Sequence, residues 1–284
     1  MSSAKRAVKT WSTPVAHEES RLIPCSICGG LSFKPDLQCE GFSYVHCTNC
    51  GLVQMNPQPL AGEVRDRYGA NHGADYLEYE LKNEKPFLEL QLLALRDAEF
   101  WELKPGRILD IGCATGTLLA ELKKRGWDTA GIEICEEEAG YARKERFLDV
   151  RSLPLEENHF TERSFDVILA SHLIEHLNDP GALVKEVRRI LKPGGRFIVT
   201  TPNISGFQAK MFRGQWRSAI FDHLYLFSVK TLSELLKRNG FNIEKIKTWG
   251  GLAAGTAPGP IKRIADKVAK RFGFGDVMLI AASL

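Results

Sequence analysis

The stretch RILDIGCATGTLLAEL, residues 107–122, decides how the rest of this chain is read. Arg107–Ile111 reads as a short strand and Thr117–Arg125 as a helix, with Gly112 and Gly116 in the turn between them and Asp110 at its mouth. Glycine at such a turn lets the backbone reverse sharply and lets a ligand approach the main chain. The free N–H groups of the following helix favour negative charge. A dinucleotide fingerprint would be G-x-G-x-x-G, but Ala114 stands where a pyrophosphate needs its glycine. A nucleoside cofactor without phosphates tolerates the alanine better.

Working outward, Glu133 lies at the tip of a second predicted strand, Thr129–Ile134, about 20 residues past the first glycine. A carboxylate there can accept two hydrogen bonds from the cis-diol of a ribose. A helix over Glu136–Glu145 and a short strand near Asp149–Arg151 come next. FDVILA (165–170), RFIVTTP (196–202), NIEKIKTW (242–249) and DVMLIAAS (276–283) are further strands. Helices are predicted over 86–103, opened by Pro86, and over 180–191, 231–241 and 261–272. Strands that alternate with helices and are apolar on both faces imply a doubly wound, mostly parallel sheet of seven strands in the α/β class. Ligands of such sheets bind beyond the carboxyl ends of the strands, where the winding reverses.

Composition sets few limits. The 284 residues are 44% apolar and 26% charged with a formal charge of +3, so nothing global points to nucleic acid or membrane. No apolar run reaches the ~18 residues of a membrane span. Residues 1–22 are expected to be a polar tail without the apolar centre of a secretory signal, although Lys5, Arg6 and Lys9 give it some likeness to a transit peptide. Seven cysteines are present, four of them in two C-x-x-C pairs, which suits a reduced, cytoplasmic setting and a metal better than disulfides.

DIGCATG, GIEI, FDVILASHLIEHLNDP and LKPGGRFIVTTPN, taken in order, resemble the successive motifs of class I S-adenosylmethionine-dependent methyltransferases. The resemblance covers about residues 85–284 and implies a Rossmann-like fold. It also implies roles by position. Asp110 and the turn holding Gly112, Cys113 and Gly116 should hold the methionine part of S-adenosylmethionine. Glu133 should bind the ribose and Ile134 the adenine face, with Ser152 and Leu153 at the adenine edge. Ser171 and His172 should line the transfer pocket. Read from the residues alone, Asp110 and Glu133 could instead be turn and cap residues, and Cys113 and Cys135 small packing residues.

The segment ASHLIEHL holds His172, Glu175 and His176 in an H-x-x-E-H spacing that superficially matches an inverted zinc-peptidase motif. That reading fails, because the segment directly follows a buried parallel strand and no distal acid ligand is suggested. In the methyltransferase resemblance an L-x-E-H run lines the substrate mouth. Some of those relatives, which methylate quinone precursors, hold a divalent cation with a similar acid and histidine. A helix start with a packed histidine is the plainer alternative.

Cys25-x-x-Cys28 and Cys47-x-x-Cys50 are spaced as two opposed knuckles of a structural zinc site. Residues 23–60 therefore read as a small zinc ribbon ahead of a methyltransferase domain over 61–284. The run CGLVQMNPQPL resembles the zinc-binding segment found before many bacterial methyltransferases of sugars and other small molecules. Lys34 is the sole lysine or arginine between the knuckles, opposed by Asp36 and Glu40, so the ribbon suits protein or substrate contact better than phosphate.

Residues 204–230 form a long insert rich in aromatics, including Trp216 and the run His223-Leu224-Tyr225-Leu226-Phe227-Ser228. Long ordered insertions at the carboxyl end of a sheet usually cover a site. The expectation is a lid over the acceptor, with His223 as general base oriented by Asp222 or Glu175, and with Glu175 and His176 completing the catalytic group. His223 could also merely fasten the lid to the sheet.

The leading expectation is methyl transfer to a hydroxyl or carbon of a sugar, glycan or ring metabolite. A non-catalytic scaffold docking a protein through its ribbon is one alternative. RNA methylation is another, supported by the basic residues Lys262, Arg263, Lys267, Lys270 and Arg271 but not by any N-P-P-Y-type motif.

Overall fold

The computed structural model describes residues 20–67, 73–251, 267, 269–270 and 273–284. Its centre is a seven-stranded sheet built from β6 (Arg107–Ile111), β7 (Asp128–Ile132), β8 (Asp149–Arg151), β9 (Phe165–Ser171), β10 (Leu191–Pro202), β12 (Asn242–Trp249) and β13 (Val277–Ser283). The order is β12-β13-β10-β9-β6-β7-β8, with β13 antiparallel to both neighbours and the other pairs parallel. The winding reverses between β6 and β9, and the loops beyond their carboxyl ends form the crevice where this architecture binds ligands.

Side-chain alternation along the strands feeds two cores. Ile108, Val167, Leu169, Ile198 and Leu279 pack with Leu95 of α2 (Gly73–Asp97) and Leu118 and Leu122 of α3 (Thr117–Lys124). Their neighbours Leu109, Ile168, Phe197, Val199 and Ile280 face the other way, toward α5 (Pro180–Ile190) and α7 (Val229–Arg238). Asp179 caps α5 by accepting the Ala182 N–H at 2.9 Å, and Ser228 and Thr231 form a reciprocal cap on α7.

The ribbon carries β2 (Phe33–Gln38), β3 (Ser43–Cys47) and β4 (Val53–Met55). Its sheet has a fourth strand from far along the chain: β11 (Tyr225–Leu226) pairs antiparallel with β4, Tyr225 opposite Gln54 and Leu226 opposite Val53. Tyr44, Cys47, Leu52 and Met55 of the ribbon share one buried cluster with the central sheet.

Three details differ from the sequence reading. The long helix α2 begins at Gly73 rather than near Pro86, which sits inside it; proline was taken as a start signal, but the helix continues upstream against α4 (Glu136–Arg146). Strand β10 begins at Leu191, absorbing the KPGG stretch through a register irregularity between Leu191 and Arg196. Ser20–Arg21, expected to be tail, pair as a strand with Gln58–Pro59. The predicted helix over 261–272 lies outside the described residues apart from Lys267, Ala269 and Lys270. No helix among the described residues is long and apolar enough to cross a membrane.

Candidate active site

The loop after β6 is set by two residues that must be glycine. Gly112 has φ 77° and Gly116 φ 73°, and a Cβ on Gly116 would lie 2.6 Å from Leu148 Cδ1. The N–H groups of Gly112 and Cys113 donate to the Ile132 carbonyl at 2.8 and 3.0 Å, tying the loop to the end of β7. Glu133, one residue further on, accepts the Ala114 N–H at Oε2 and the Cys135 N–H at Oε1, both at 2.9 Å.

The loop therefore lies beside a buried carboxylate. Asp110 is 2% exposed, and burial followed by the charge of Glu133 pushes its pKa up to about 7. Burial also raises Glu133, against the N–H groups that lower it. Two acids that the sequence reading missed join them. Glu80 of α2 is pushed up to about 7 by burial and then by Glu133. Glu138 of α4 is raised to about 8 by burial and then by the charges of Glu133 and Glu80. Neither was legible, because nothing in a helical period says which acid turns inward. Burial, with the charge of Glu133 acting on the other three, makes all four carboxyl groups resist ionisation.

Cys113 is buried in a cluster with Leu119, Ala139 and Val150, so its side chain packs beneath the loop. Ile134 and Leu153 stand 38% and 50% exposed. Each follows by two residues the end of a parallel pair, Ile132 opposite Arg151, so they flank one rim. Ser152 lies beside Glu136 at the start of α4 and helps to lower its pKa. Ser171 Oγ is 2.8 Å from Thr200 Oγ1.

Across the crevice, His172 leaves β9 with φ 51° and donates its N–H to Thr200 at 2.9 Å. Its half-exposed ring places Nδ1 3.4 Å from Oε1 of Glu175, which is fully buried. Oε2 of Glu175 accepts the Thr201 hydroxyl at 2.9 Å. His223 closes the group, its ring centroid 4.7 Å from that of His176. The Nδ1 atom of His176 is 3.0 Å from the Asp222 carbonyl and that of His223 2.8 Å from the Ser218 carbonyl. Burial acts to raise the pKa of Glu175, but the imidazoles, His172 first, bring it to about 2. Burial and then His176 lower His223 to about 4. Glu175, His176 and His223 offer ligand atoms within 4.8 Å of one another, a set able to handle a proton or hold a divalent cation.

The Asp222 carboxylate does not orient His223 as expected. It pairs with Arg67 at 3.0 Å, and Arg67 also lies over the Phe221 ring. His223 itself is 8% exposed.

The ribbon knuckles meet. Cys25 Sγ is 3.4 Å from Cys50 Sγ and Cys28 Sγ 3.5 Å from Cys47 Sγ, with all four within 4.8 Å. Thiolates on a tetrahedral zinc, ~2.3 Å from the ion, stand about 3.8 Å apart, so the residues fit that ion. Burial raises Cys25, whereas for Cys47 the N–H groups of Cys50 and Asn49 and the neighbouring thiols overcome burial and lower it to about 7. Cys39 stands apart, its Sγ 3.6 Å from the Gly214 carbonyl.

Residues 82–246, more than half of the chain, match the family model for the methyltransferase domain. The chain belongs to that family. The seven-stranded sheet with one antiparallel strand is the class I, S-adenosylmethionine-dependent form of the fold. A ubiquinone biosynthesis O-methyltransferase of Aeromonas salmonicida is 32% identical over 103 residues, 34% of this chain and 43% of that protein. The corresponding protein of Hahella chejuensis is 32% identical over 126 residues, 42% of this chain and 53% of the other. The chain thus spans about half or less of the length of these curated relatives. A solved methyltransferase from Thermotoga maritima, described as a possible histamine N-methyltransferase, is similar with a TM-score of 0.54 and 24% identity over 73% of this chain and 97% of the other. That likeness is one of fold.

Proposed function

We propose that this chain transfers a methyl group from S-adenosylmethionine to a hydroxyl oxygen of a small molecule, in the class of sugars, glycans or ring metabolites. The observation that carries the reading is Glu133 joined to the Gly112–Gly116 loop at the carboxyl ends of β6 and β7. The family membership supports the donor, and the O-methyltransferase relatives support the oxygen acceptor.

The cofactor supplies an activated methyl group on a sulfonium cation. Asp110, Glu80 and Glu138 resist ionisation beside Glu133, and a bound sulfonium cation would favour their charged forms. Glu133 keeps acceptor capacity beyond the two N–H groups it already binds, and this would take the ribose hydroxyls. Ile134 and Leu153 would cover the adenine. The main work of the chain is alignment and exclusion of water.

An oxygen acceptor must also lose a proton. His172 is the exposed imidazole of the polar group and has the buried Glu175 carboxylate behind it, so we assign it as the proton acceptor. His223, buried and held near pKa 4, is a poor base at neutral pH and backs the cluster instead. Cys25, Cys28, Cys47 and Cys50 would hold one zinc ion with no open position, which contributes folding energy rather than chemistry.

The test is incubation with methyl-labelled S-adenosylmethionine and fractionated small-molecule, glycan and RNA pools. Label in a hydroxylated small molecule or glycan supports the reading. Label in RNA, or cofactor binding without transfer to any pool, contradicts it.

A further inference from the structure

The ribbon and the acceptor side of the crevice share backbone. Tyr44, 1% exposed in β3 and three residues before the knuckle residue Cys47, places its hydroxyl 2.8 Å from the Ile220 carbonyl and 2.8 Å from the His223 carbonyl. Its single proton is shared between them. The Met55 N–H of β4 donates to the Leu224 carbonyl at 2.8 Å, and the Leu224 N–H in turn donates to the Glu175 carbonyl at 2.8 Å. The Tyr225 hydroxyl donates to the Asn178 carbonyl at 2.9 Å, just past the turn that carries Glu175 and His176. Phe42 packs edge-on against both Tyr44 and Phe221. Residues 220–226, which carry His223 and the carbonyl that His176 faces, are thus fastened to β3 and β4.

These strands are short, and a unit of about 40 residues has little core of its own. What sets the ends of β3 and β4 is the four-cysteine centre, since Cys47 closes β3 and Cys50 lies in the turn leading to β4. The cofactor half of the crevice is built on β6, β7, α2 and α4 instead.

We infer that the ribbon is a control element for the acceptor side: metal occupancy at Cys25, Cys28, Cys47 and Cys50 places residues 220–226, and Tyr44 is the positioning residue that passes this placement to His223. The inference rests on the reading that the His172–Glu175–His176–His223 group faces the acceptor. With the centre filled, the knuckles fix the end of β3, the Tyr44 hydroxyl stays under the two carbonyls, and the His223 ring stays against His176. With the centre emptied, this segment loosens while S-adenosylmethionine still binds.

Amide hydrogen exchange on the full chain tests it in three forms: zinc-loaded parent, parent stripped with a chelator, and zinc-loaded Tyr44→Phe. Amides of residues 220–226 should exchange at least ~10-fold faster in the stripped protein and in Tyr44→Phe, with those of β6 and β9 unchanged. The ring-proton resonance of His223, assigned by its absence in His223→Gln, should shift in Tyr44→Phe at unchanged zinc content, which a purely structural hydroxyl elsewhere in the core would not cause. Calorimetric affinity for S-adenosylmethionine should stay within about 2-fold in all three forms. Unchanged exchange at 220–226 after stripping overturns the coupling. Protection lost on stripping but kept in Tyr44→Phe overturns the role of Tyr44. Loss that spreads equally to β6 and β9 shows the ribbon to be a general prop and overturns selective control. A zinc-loaded parent that binds no cofactor would instead defeat the functional reading and leave the coupling standing.

Discussion

The Thr201 hydroxyl donates to Oε2 of Glu175 across 2.9 Å, and neither residue has any exposed surface. A buried carboxylate is costly unless partnered; Oε1 makes no hydrogen bond, and the His172 Nδ1 atom stands 3.4 Å from it. Glu175 therefore backs the His172 ring, and on the proposed function it would set the charge of the acceptor side.

Replacing Glu175 with Gln keeps the shape and removes the charge. Turnover on an identified acceptor should fall ~10²–10⁴-fold, with cofactor affinity nearly unchanged. His172→Ala should lose a similar factor and His223→Gln clearly less. Equal losses in His223→Gln and His172→Ala would return the base to His223.

His223 also leaves a mark on stability. Its pKa falls from an ordinary 6.5 to about 4 in the folded chain. The folded state binds the proton less readily than the unfolded one, so the contribution is complete above about pH 6.5 and is lost as pH falls toward 4. Denaturant melts across that window should show stability dropping with acid, and His223→Gln should flatten the slope. Identical slopes would mean that the imidazole is not held neutral by its surroundings.

Most of the sheet was legible because its strands are short apolar runs between turn signals. FDVILA needed no tertiary information to be placed. The Gly112–Gly116 loop and Glu133 were readable because backbone geometry and a strand end dictate those residue types. The acceptor side was not. Tyr44 reaches His223 across 179 residues of sequence, and no local period announces such a bond. The burial of His223 was equally hidden: the two residues Tyr225 and Leu226 that pair with β4 tie this end of the insert to the ribbon sheet. Pro86 misled because a helix-start signal competes with an apolar face that continues upstream.

The pocket acids predict a pH-dependent cofactor preference. Asp110 is pushed up to about 7 by burial and by Glu133, so it gains charge as pH rises through neutrality. Affinity for S-adenosylmethionine should therefore increase between about pH 6 and pH 8 more than affinity for S-adenosylhomocysteine, which lacks the sulfonium charge. Calorimetry at several pH values gives the ratio. A constant ratio would place Asp110 away from the sulfonium.

Protein purified without chelator should carry about one equivalent of zinc, and the double variant Cys25→Ser/Cys50→Ser should carry almost none. Full zinc content in that variant would put the ion elsewhere.

The central claim is cofactor binding through Glu133, and calorimetric titration of S-adenosylmethionine into the parent, Glu133→Gln and Glu133→Ala tests it most directly. Loss of two charge-assisted hydrogen bonds should cost ~2–4 kcal/mol, roughly a 30- to 900-fold weaker affinity in Glu133→Ala, with Glu133→Gln between it and the parent. A Glu133→Ala protein that binds as tightly as the parent would contradict the account.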